Sequence, residues 1–551
     1  MDYTKLGELL FPHIQKTPQD YFEMYPKRSL PEGAKVTRFA PSPTGFLHIG
    51  GLFAALISER MAHQSGGVFM LRIEDTDKKR EVKDGVSGII DGLKHFGIVP
   101  DEGFVAKDKQ VGNYGTYLQS ARAEIYQAFA KDLVLKGLAY PCFCTEEEIS
   151  AIREKQEAEK ELPGYYGKYA VCRNLSFEQI EEKIKAGMPY VLRLKSPGSA
   201  DKRISFKDGI RGTIEMPENI VDVVLLKTDG IPTYHFAHAV DDTLMGTTHV
   251  IRGDEWISSV PIHLQLFYCM GLKPPKYAHI APIMKEENGG KRKISKRKDP
   301  EASVTYYSAE GYPTDGVTEY LLNLANSNFE DFRRQNPKAP WQDFPLAMNK
   351  MSKSGCLFDL VKLHDICKNV IASWTAERVA AEATAWAKEF DEELYGLLSR
   401  DMKYTETLFS FDRNPDKPRK DIGKWSEVKD AFSYMFPELF KPEYELPQNL
   451  DKTDMKCIAE QYADLYDPDL DKNEWFNAMK DLAEEVGFAR EVKEYKKNPE
   501  AFKGHVGDIS SVIRVAVTGR MKSPDLHGIL KALGKDEVKR RIKMFAESLA
   551  Q

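Results

Sequence analysis

The sequence predicts an α/β protein in which an inserted domain splits a parallel sheet, followed by an all-α C-terminal region. Three observations predict it. A strand–helix–strand series occupies residues 35–73, a second runs from about 220 to 284, and strand signals fade from about residue 305 onward. A chain of 551 residues exceeds what one hydrophobic core can organise, so about three to five domains are expected.

Residues 1–34 read as an N-terminal extension, closed by Pro26, Pro31 and Gly33. Lys35-Val36-Thr37-Arg38-Phe39-Ala40 reads as a strand, and Pro41-Ser42-Pro43-Thr44-Gly45 as the loop after it. From Gly50 to about Gln64, Phe53, Leu56, Ile57, Arg60 and Met61 recur at helical spacing, and Gly66-Gly67 closes the helix. Residues 68–73 form a second apolar strand that runs into Glu74-Asp75-Thr76-Asp77. Residues 35–130 are thus the first half of the sheet domain. An insertion follows at 131–218, with a cysteine group, a charged helix at 146–160 and the β-leaning Tyr190-Val191-Leu192-Arg193-Leu194. The second half, 219–304, has strand-like runs at 220–227, 249–252 and 279–284 around a helix at 256–270. Beyond it lie a connecting region, 305–375, and a helical region, 376–551, with helical patterns at 357–372, 376–398 and 530–549.

The net charge of −6 argues against a general nucleic-acid binder, because phosphate contacts need Lys and Arg. Distribution matters more than the sum. Lys291-Arg292-Lys293 with Lys296-Arg297-Lys298, and Lys539-Arg540-Arg541, are short basic runs that by themselves read as solvated surface. Cys142, Cys144 and Cys172 group together, while Cys269, Cys356, Cys367 and Cys457 are scattered. An odd, dispersed set suggests a reducing compartment. No apolar run approaches the roughly 18 residues of a membrane span, and the N-terminus lacks a signal-peptide core. A cytoplasmic protein without a membrane partner is expected.

Arg38-Phe39-Ala40-Pro41-Ser42-Pro43-Thr44-Gly45-Phe46-Leu47-His48-Ile49-Gly50-Gly51 joins a strand to a helix. Its prolines stiffen the loop, and its glycines let a ligand approach the backbone. The helix N-terminus that follows favours phosphate. A His just ahead of it can donate to a phosphoryl oxygen as charge develops there. The chain has no G-x-x-x-x-G-K-[ST] loop and no well-placed G-x-G-x-x-G, so a nucleotide site here is of another kind.

These fourteen residues resemble the signature of the class I aminoacyl-tRNA synthetases, His-Ile-Gly-His, and the preceding Arg-Phe-Ala-Pro-Ser-Pro-Thr-Gly resembles its glutamyl branch. Gly51 stands where the general pattern has a second His. The resemblance implies a Rossmann-type catalytic sheet, an acceptor-stem-binding insertion at 131–218, a stem-contact region at 305–375 and an anticodon-binding region at 376–551. It implies ATP-dependent attachment of L-glutamate to the 3′ end of tRNA(Glu) through a glutamyl-adenylate, with release of AMP and pyrophosphate. ATP, Mg²⁺, glutamate and tRNA(Glu) are the implied cofactors and partners, and a monomer is expected. Whether tRNA(Gln) is also charged is left open.

The family needs a mobile basic loop with the pattern Lys-Met-Ser-Lys-Ser. Lys350-Met351-Ser352-Lys353-Ser354 matches it letter for letter, and Lys293-Ile294-Ser295-Lys296-Arg297 is a variant. The variant is preferred. It closely follows the 279–284 strand and flexible Asn288-Gly289-Gly290, and it gathers cations where a triphosphate needs them. The literal match lies about 70 residues past the last α/β strand, in the helical half. His48 and Lys296 are therefore the expected catalytic pair. The expected ATP contacts are Gly50, Gly51, Glu255, Trp256, Lys293, Ser295 and Lys296.

Glutamate presents an ammonium and two carboxylates. Arg suits a carboxylate best, because its planar fork binds two oxygens at once. Arg38 and Arg252 both sit at strand ends, and Glu74 ends another strand where it could meet the ammonium. The resemblance extends to Arg38, Ser42, Glu74, Tyr234, His238 and Arg252 as glutamate contacts. The expectation pairs Arg38 with Tyr234 on one carboxylate and Arg252 on the other, in either order.

Cys142-Phe143-Cys144 and Cys172 make a partial zinc pattern, since zinc wants four ligands. Some glutamyl enzymes complete it with Cys-x-His, but here the last position is Asn174. Tyr166 is the candidate fourth ligand, and three reduced thiols without metal are the alternative. A glutaminyl relative is disfavoured by Ala40-Pro41-Ser42-Pro43-Thr44 and by the helical C-terminal half. A tRNA-modifying paralogue would lack that half, and a noncatalytic tRNA-binding scaffold would be expected to lose His48 or Lys296.

Overall fold

A computed structural model of the chain describes residues 1–77, 82–414 and 416–550. It divides into two units, one of Met1–Tyr306 with Thr318–Asp359 and the other of Tyr307–Val317 with Leu360–Gln551.

The first unit opens with α1 (Tyr3–Leu10) and α2 (Pro18–Met24). Then come β1 (Val36–Phe39), α3 (Ile49–His63), β2 (Val68–Leu71), α4 (Gly85–His95), β3 (Glu102–Ala106) and β4 (Lys109–Val111). Strands β1, β2 and β3 are parallel in that order, and β4 closes the edge antiparallel. Helix α3 buries Leu52, Phe53, Ala55, Leu56 and Ile57. Through Ile57 the helix is apolar nearly all round, as a helix buried on most sides must be, and the buried Glu59 and Arg60 that follow pair with each other.

After α5 (Ala123–Leu135) the insertion begins. It contains β5 (Ala139–Cys142), α6 (Glu146–Ala158), α7 (Phe177–Lys185), β6 (Val191–Leu194), the hairpin β7 (Arg203–Asp208) and β8 (Gly212–Pro217), and β9 (Val224–Leu226). Strands β5, β6 and β9 form one antiparallel sheet. This corrects the sequence reading of 220–227. Only Val224–Leu226 of that run is a strand, and it pairs with Leu192 and Arg193 in the insertion and not in the parallel sheet. An apolar run specifies burial, not a partner.

The second half then supplies α8 (Tyr234–Leu244), β10 (His249–Gly253), α9 (Val260–Met270) and β11 (Lys276–Ile280), with β10 and β11 parallel. The Thr248 N–H donates to Val36 O at 3.0 Å and the Val36 N–H to Thr248 Oγ1 at 2.8 Å. The two halves of the sheet therefore meet edge to edge at β1 and β10. The 279–284 run is two strands in different sheets: β11 ends at Ile280, and β12 (Ile283–Glu287) pairs with β13 (Gly290–Lys293).

Residues 1–34 are built into this unit. Leu6, Leu10, Phe11, Ile14 and Tyr21 share one core with α5, the insertion sheet, α8 and α9. Arg28 donates to Met245 O and places both Nη atoms on Glu102 at 2.7 Å.

The second unit is helical, with its own core from Ile371 to Leu549. Two predicted helices are each broken in two. The 376–398 pattern ends at Phe390, where Asp391 caps Glu392–Ser399 through the Leu394 N–H. The 530–549 pattern begins as Leu526–Leu533 and restarts at Lys535–Leu549 after Gly534, whose φ is +80°. An Asp offers an N-cap and a Gly a left-handed turn, and both interrupt an apolar period that continues across them. Among the described residues no helix is long and apolar enough to cross a membrane.

Candidate active site

The carboxyl ends of β1, β2 and β10 open on one cleft of about 1330 Å³. Arg38, Ser42, His48, Gly51, Glu74, Tyr234, Arg252, Glu255, Trp256 and Lys296 all line it. Ligands bind at this edge of open α/β sheets because strand-end loops and helix N-termini converge there.

His48 is the N-cap of α3, and its Nδ1 accepts from the Gly51 N–H at 3.0 Å. Nε2 therefore carries the ring proton. Desolvation by the cleft walls, then the Lys296 and Lys293 cations, push its pKa down to about 4. At neutral pH the ring is uncharged with an N–H to give. A Cβ at position 50 would lie 3.0 Å from the His48 ring, so Gly50 leaves that ring its place.

The variant basic loop follows β13, and Lys296 Nζ reaches back to donate to Phe46 O in the proline-rich loop. Burial lowers its pKa. The positive charge around it is smaller than the sequence suggests. Arg292 places both Nη atoms on Asp299, at 2.6 and 2.8 Å, Lys293 lies 3.4 Å from Glu255, and Lys298 lies 3.7 Å from Glu287. The Ser295 N–H also donates to Asp299, at 2.9 Å. Asp299 thus ties the loop down at its base, and among the described residues of the loop Lys296 is the cation that lines the cleft. Gly50, Lys293 and Ser295 lie just outside the lining.

The literal match at 350–354 is not where the sequence argument put it. It precedes β14 (Cys356–Leu357), which runs parallel to β12 in the sheet that carries the variant loop. Distance from the strands therefore does not exclude it. What separates the two is direction: Lys296 points into the cleft, whereas exposed Lys353 is not among its lining.

Arg38 is nearly buried, and its Nε donates to Asp242 Oδ2 at 3.3 Å. Its two Nη atoms have no protein partner among the described residues, so the fork faces the cleft unspent. Asp242 also accepts from Arg72 Nη1 at 2.7 Å, and His238 Nδ1 lies 2.7 Å from its Oδ2. Its pKa falls well below the ordinary carboxylate value, as the Arg72 and Arg38 charges outweigh burial. Glu74 takes Arg72 Nη2 at 3.1 Å. Burial raises its pKa, and Arg72 and Arg38 oppose that.

Tyr234 stands with Arg252 rather than with Arg38. Arg252 Nη1 donates to Tyr234 Oη at 3.1 Å, and the Tyr234 ring packs against Trp256 with centroids 4.4 Å apart. His238 does not reach the cleft. It is wholly buried, held between Asp242 and Tyr277 Oη, the latter at 3.0 Å, and burial takes its pKa to about 4. The sequence reading of His238 as a glutamate contact is corrected: it supports Asp242, which supports Arg38. The same reading missed Asp241 and Asp242. Their signal was visible, since two adjacent acids inside an apolar helix imply buried cations.

The sulfurs of Cys142, Cys144 and Cys172 lie within 4.8 Å of one another, and Cys144 and Cys172 are 3.7 Å apart. The tyrosine beside these thiols is Tyr165, not Tyr166. Tyr165 Oη lies 3.3 Å from Cys144 Sγ and accepts from the Cys172 N–H at 3.0 Å. Tyr166 instead donates to Leu162 O. Three thiols this close, with a phenol beside them, fit a four-ligand zinc site.

A family described as tRNA synthetases class I (E and Q), catalytic domain, matches residues 35–338, and an anticodon binding domain matches 422–546. The chain is 53% identical to a glutamate–tRNA ligase of Clostridium perfringens (strain SM101), over 99% of this chain and 100% of the relative. It is 46% identical to the glutamate–tRNA ligase of Sorangium cellulosum, covering 96% of this chain and 98% of that one. A crystal structure of a glutamate tRNA ligase from Elizabethkingia meningosepticum, in complex with its amino acid, superposes with a TM-score of 0.75. It is 27% identical and covers 94% of this chain and 99% of that one.

Proposed function

This chain belongs to the class I tRNA synthetases of the glutamate and glutamine group, and we propose that its cleft carries out ATP-dependent attachment of L-glutamate to the 3′ end of tRNA(Glu). One observation carries the reading: the free fork of Arg38 and the Arg252–Tyr234 pair share a cleft with His48, Lys296 and the α3 N-terminus. The two guanidinium groups grip the carboxylates of glutamate, and Glu74 with Ser42 takes the ammonium. Glutamine would leave an arginine facing a neutral amide, which is the physical basis for rejecting it.

In the first step an α-carboxylate oxygen attacks the α-phosphorus of ATP in line, and the bond to pyrophosphate breaks. Charge grows on the phosphoryl oxygens. His48 donates its Nε2–H to it, the α3 N-terminus faces it, and Lys296 follows the departing pyrophosphate. Glu255, a carboxylate in the cleft lining, would hold Mg²⁺, which would supply positive charge to the phosphates. In the second step a ribose hydroxyl of the terminal adenosine attacks the mixed anhydride, and AMP leaves. No protein nucleophile is required. The insertion would hold the acceptor stem, residues 305–375 the stem beyond it, and 376–551 the anticodon end, which the match at 422–546 supports.

Arg38→Lys keeps the charge and loses the fork. It is expected to raise the KM for glutamate about tenfold or more while the KM for ATP stays within about twofold. Lys296→Ala should cut pyrophosphate exchange by about 10²–10³ and Lys353→Ala by less than about twofold. Loss of exchange in Lys353→Ala alone would reassign the loop. Charging tRNA(Glu) and tRNA(Gln) side by side with glutamate decides the breadth of tRNA choice. Cys142, Cys144 and Cys172, with Tyr165, would hold a structural zinc that fastens the insertion. Metal analysis of protein purified without chelator should find about one equivalent, and under about 0.2 would remove it.

A further inference from the structure

Among the described residues, no carboxylate lies within 4 Å of the Arg252 guanidinium. Its donors go to neutral groups: Nε to His279 Nε2 at 3.1 Å, Nη1 to Tyr234 Oη, and Nη2 to Trp256 O and His263 Nδ1, both at 3.3 Å. The acid comes one step later. His279 Nδ1 lies 2.7 Å from Asp208 Oδ2, and both side chains are buried. Because His279 Nε2 accepts from arginine, the ring proton must sit on Nδ1, aimed at Asp208.

Asp208 belongs to the last position of β7, in the inserted hairpin. Its Oδ1 accepts from the Ile210 and Arg211 N–H groups, each at 2.9 Å, and its Oδ2 from the His279 N–H at 3.2 Å. The hairpin is tied at the same place by Gly209 N–H to Tyr277 O at 2.8 Å and by Arg211 to Asp254 at 2.7 Å. An insertion element thus reaches into the catalytic sheet and ends on the base of Arg252.

We infer that Asp208 is a positioning residue for glutamate binding, acting through His279 on Arg252. The carboxylate fixes the Nδ1–H tautomer, and that tautomer leaves Nε2 as an acceptor that aims the guanidinium. The other tautomer would set an N–H against the Nε–H of Arg252 and turn the arginine away. Distance also matters. A carboxylate directly on Arg252 would neutralise it and compete with the substrate, whereas one beyond a neutral imidazole orients it and leaves its charge for the ligand. This differs from Arg38, whose direct acid is shared with Arg72 and His238.

The inference rests on the reading of Arg252 as a glutamate contact, and the experiment separates the two. Pyrophosphate exchange is measured with tRNA(Glu) present for Asp208→Asn, His279→Gln, the double variant and Arg252→Lys. Asp208→Asn keeps an acceptor for the Ile210 and Arg211 N–H groups. Asp208→Asn and His279→Gln should each raise the KM for glutamate about tenfold, with the KM for ATP within about twofold. The double variant should be no worse than His279→Gln, because the two residues act as one unit. Additive effects, or equal effects on ATP and glutamate, overturn the relay. If Arg252→Lys raises the glutamate KM and neither relay variant does, the relay alone is wrong. If Arg252→Lys leaves it unchanged, the reading of Arg252 fails and takes the relay with it. Should Asp208→Asn not fold, His279→Gln carries the test by itself.

Discussion

His48 has two duties, and they can be separated. Its Nδ1 caps α3 through Gly51, and its Nε2–H faces the cleft. Asn is also a good N-cap, so His48→Asn should keep the helix start and lose the donor. The expected result is a fall in kcat of about 10²–10³ with little change in thermal stability. A pKa near 4 means the ring stays neutral through the working range. The acid limb of kcat between about pH 5 and 8 should therefore be the same in parent and variant. A limb that moves with His48→Asn would mean the ring is charged in the resting site. The His48 loop was legible in the sequence because its parts are contiguous: strand, proline turn, cap and helix follow one another within fourteen residues. Asp208 and His279, 71 positions apart, carry no local signal, and only the docking of the hairpin brings them together. Tyr165 and Tyr166 differ by a single position, and which one turns toward the thiols is decided by the bend at Gly164 and Tyr165, which spacing does not encode.

At the scale of elements, the sequence resolves helices by their period and strands by their polarity, but not which strand pairs with which. The 220–227 run shows this, and so does the 350–354 motif, whose nearness to the basic loop depends on two residues of β14 pairing with β12. The last turn of α3 shows a different limit. His63 lies on the helix end with Nδ1 2.7 Å from Glu59 and Nε2 2.9 Å from Asp101, just ahead of β3. The Asp101 and Glu59 hydrogen bonds raise its pKa to about 9. The group is charged when folded and has an ordinary value of 6.5 when unfolded. Its stabilisation is therefore fully present below about pH 6.5 and is lost as pH rises through about 9. His63→Gln should cost roughly 1–2 kcal/mol at pH 6, allowing for partial exposure of the cluster, and little by pH 10. Thermal melts of parent and variant at both pH values measure this. A deficit that does not shrink with rising pH would show that packing, not charge, holds the clasp.

At the scale of the whole molecule, nothing in the sequence shows how the two units interleave. A boundary near residue 305 follows from fading strand signals, and the chain does pass between units at 306. It then passes back at 317 and again at 359. Residues 307–317 belong to the helical unit, where Trp386 Nε1–H donates to Ser308 O at 2.9 Å, the Trp425 N–H donates to Gly311 O at 2.8 Å, and Lys424 pairs with Glu310. Arg378 meets Asp315 at 2.8 Å in the same unit. No single cut therefore releases two intact pieces. A chain broken between 359 and 360 leaves 307–317 on the first fragment, while the indole and backbone donors that segment satisfies stay on the second. Each buried donor left without its acceptor costs about 1–3 kcal/mol. The 360–551 fragment alone should be markedly less stable than the same fragment with 307–317 joined to it, by several kcal/mol if about three such bonds count. Co-expressed 1–359 and 360–551 should consequently co-purify, since the first carries the missing piece of the second. Fragments that elute apart, with 360–551 melting as sharply alone as with 307–317 attached, would show that the short segment is a passenger rather than a part of the helical unit.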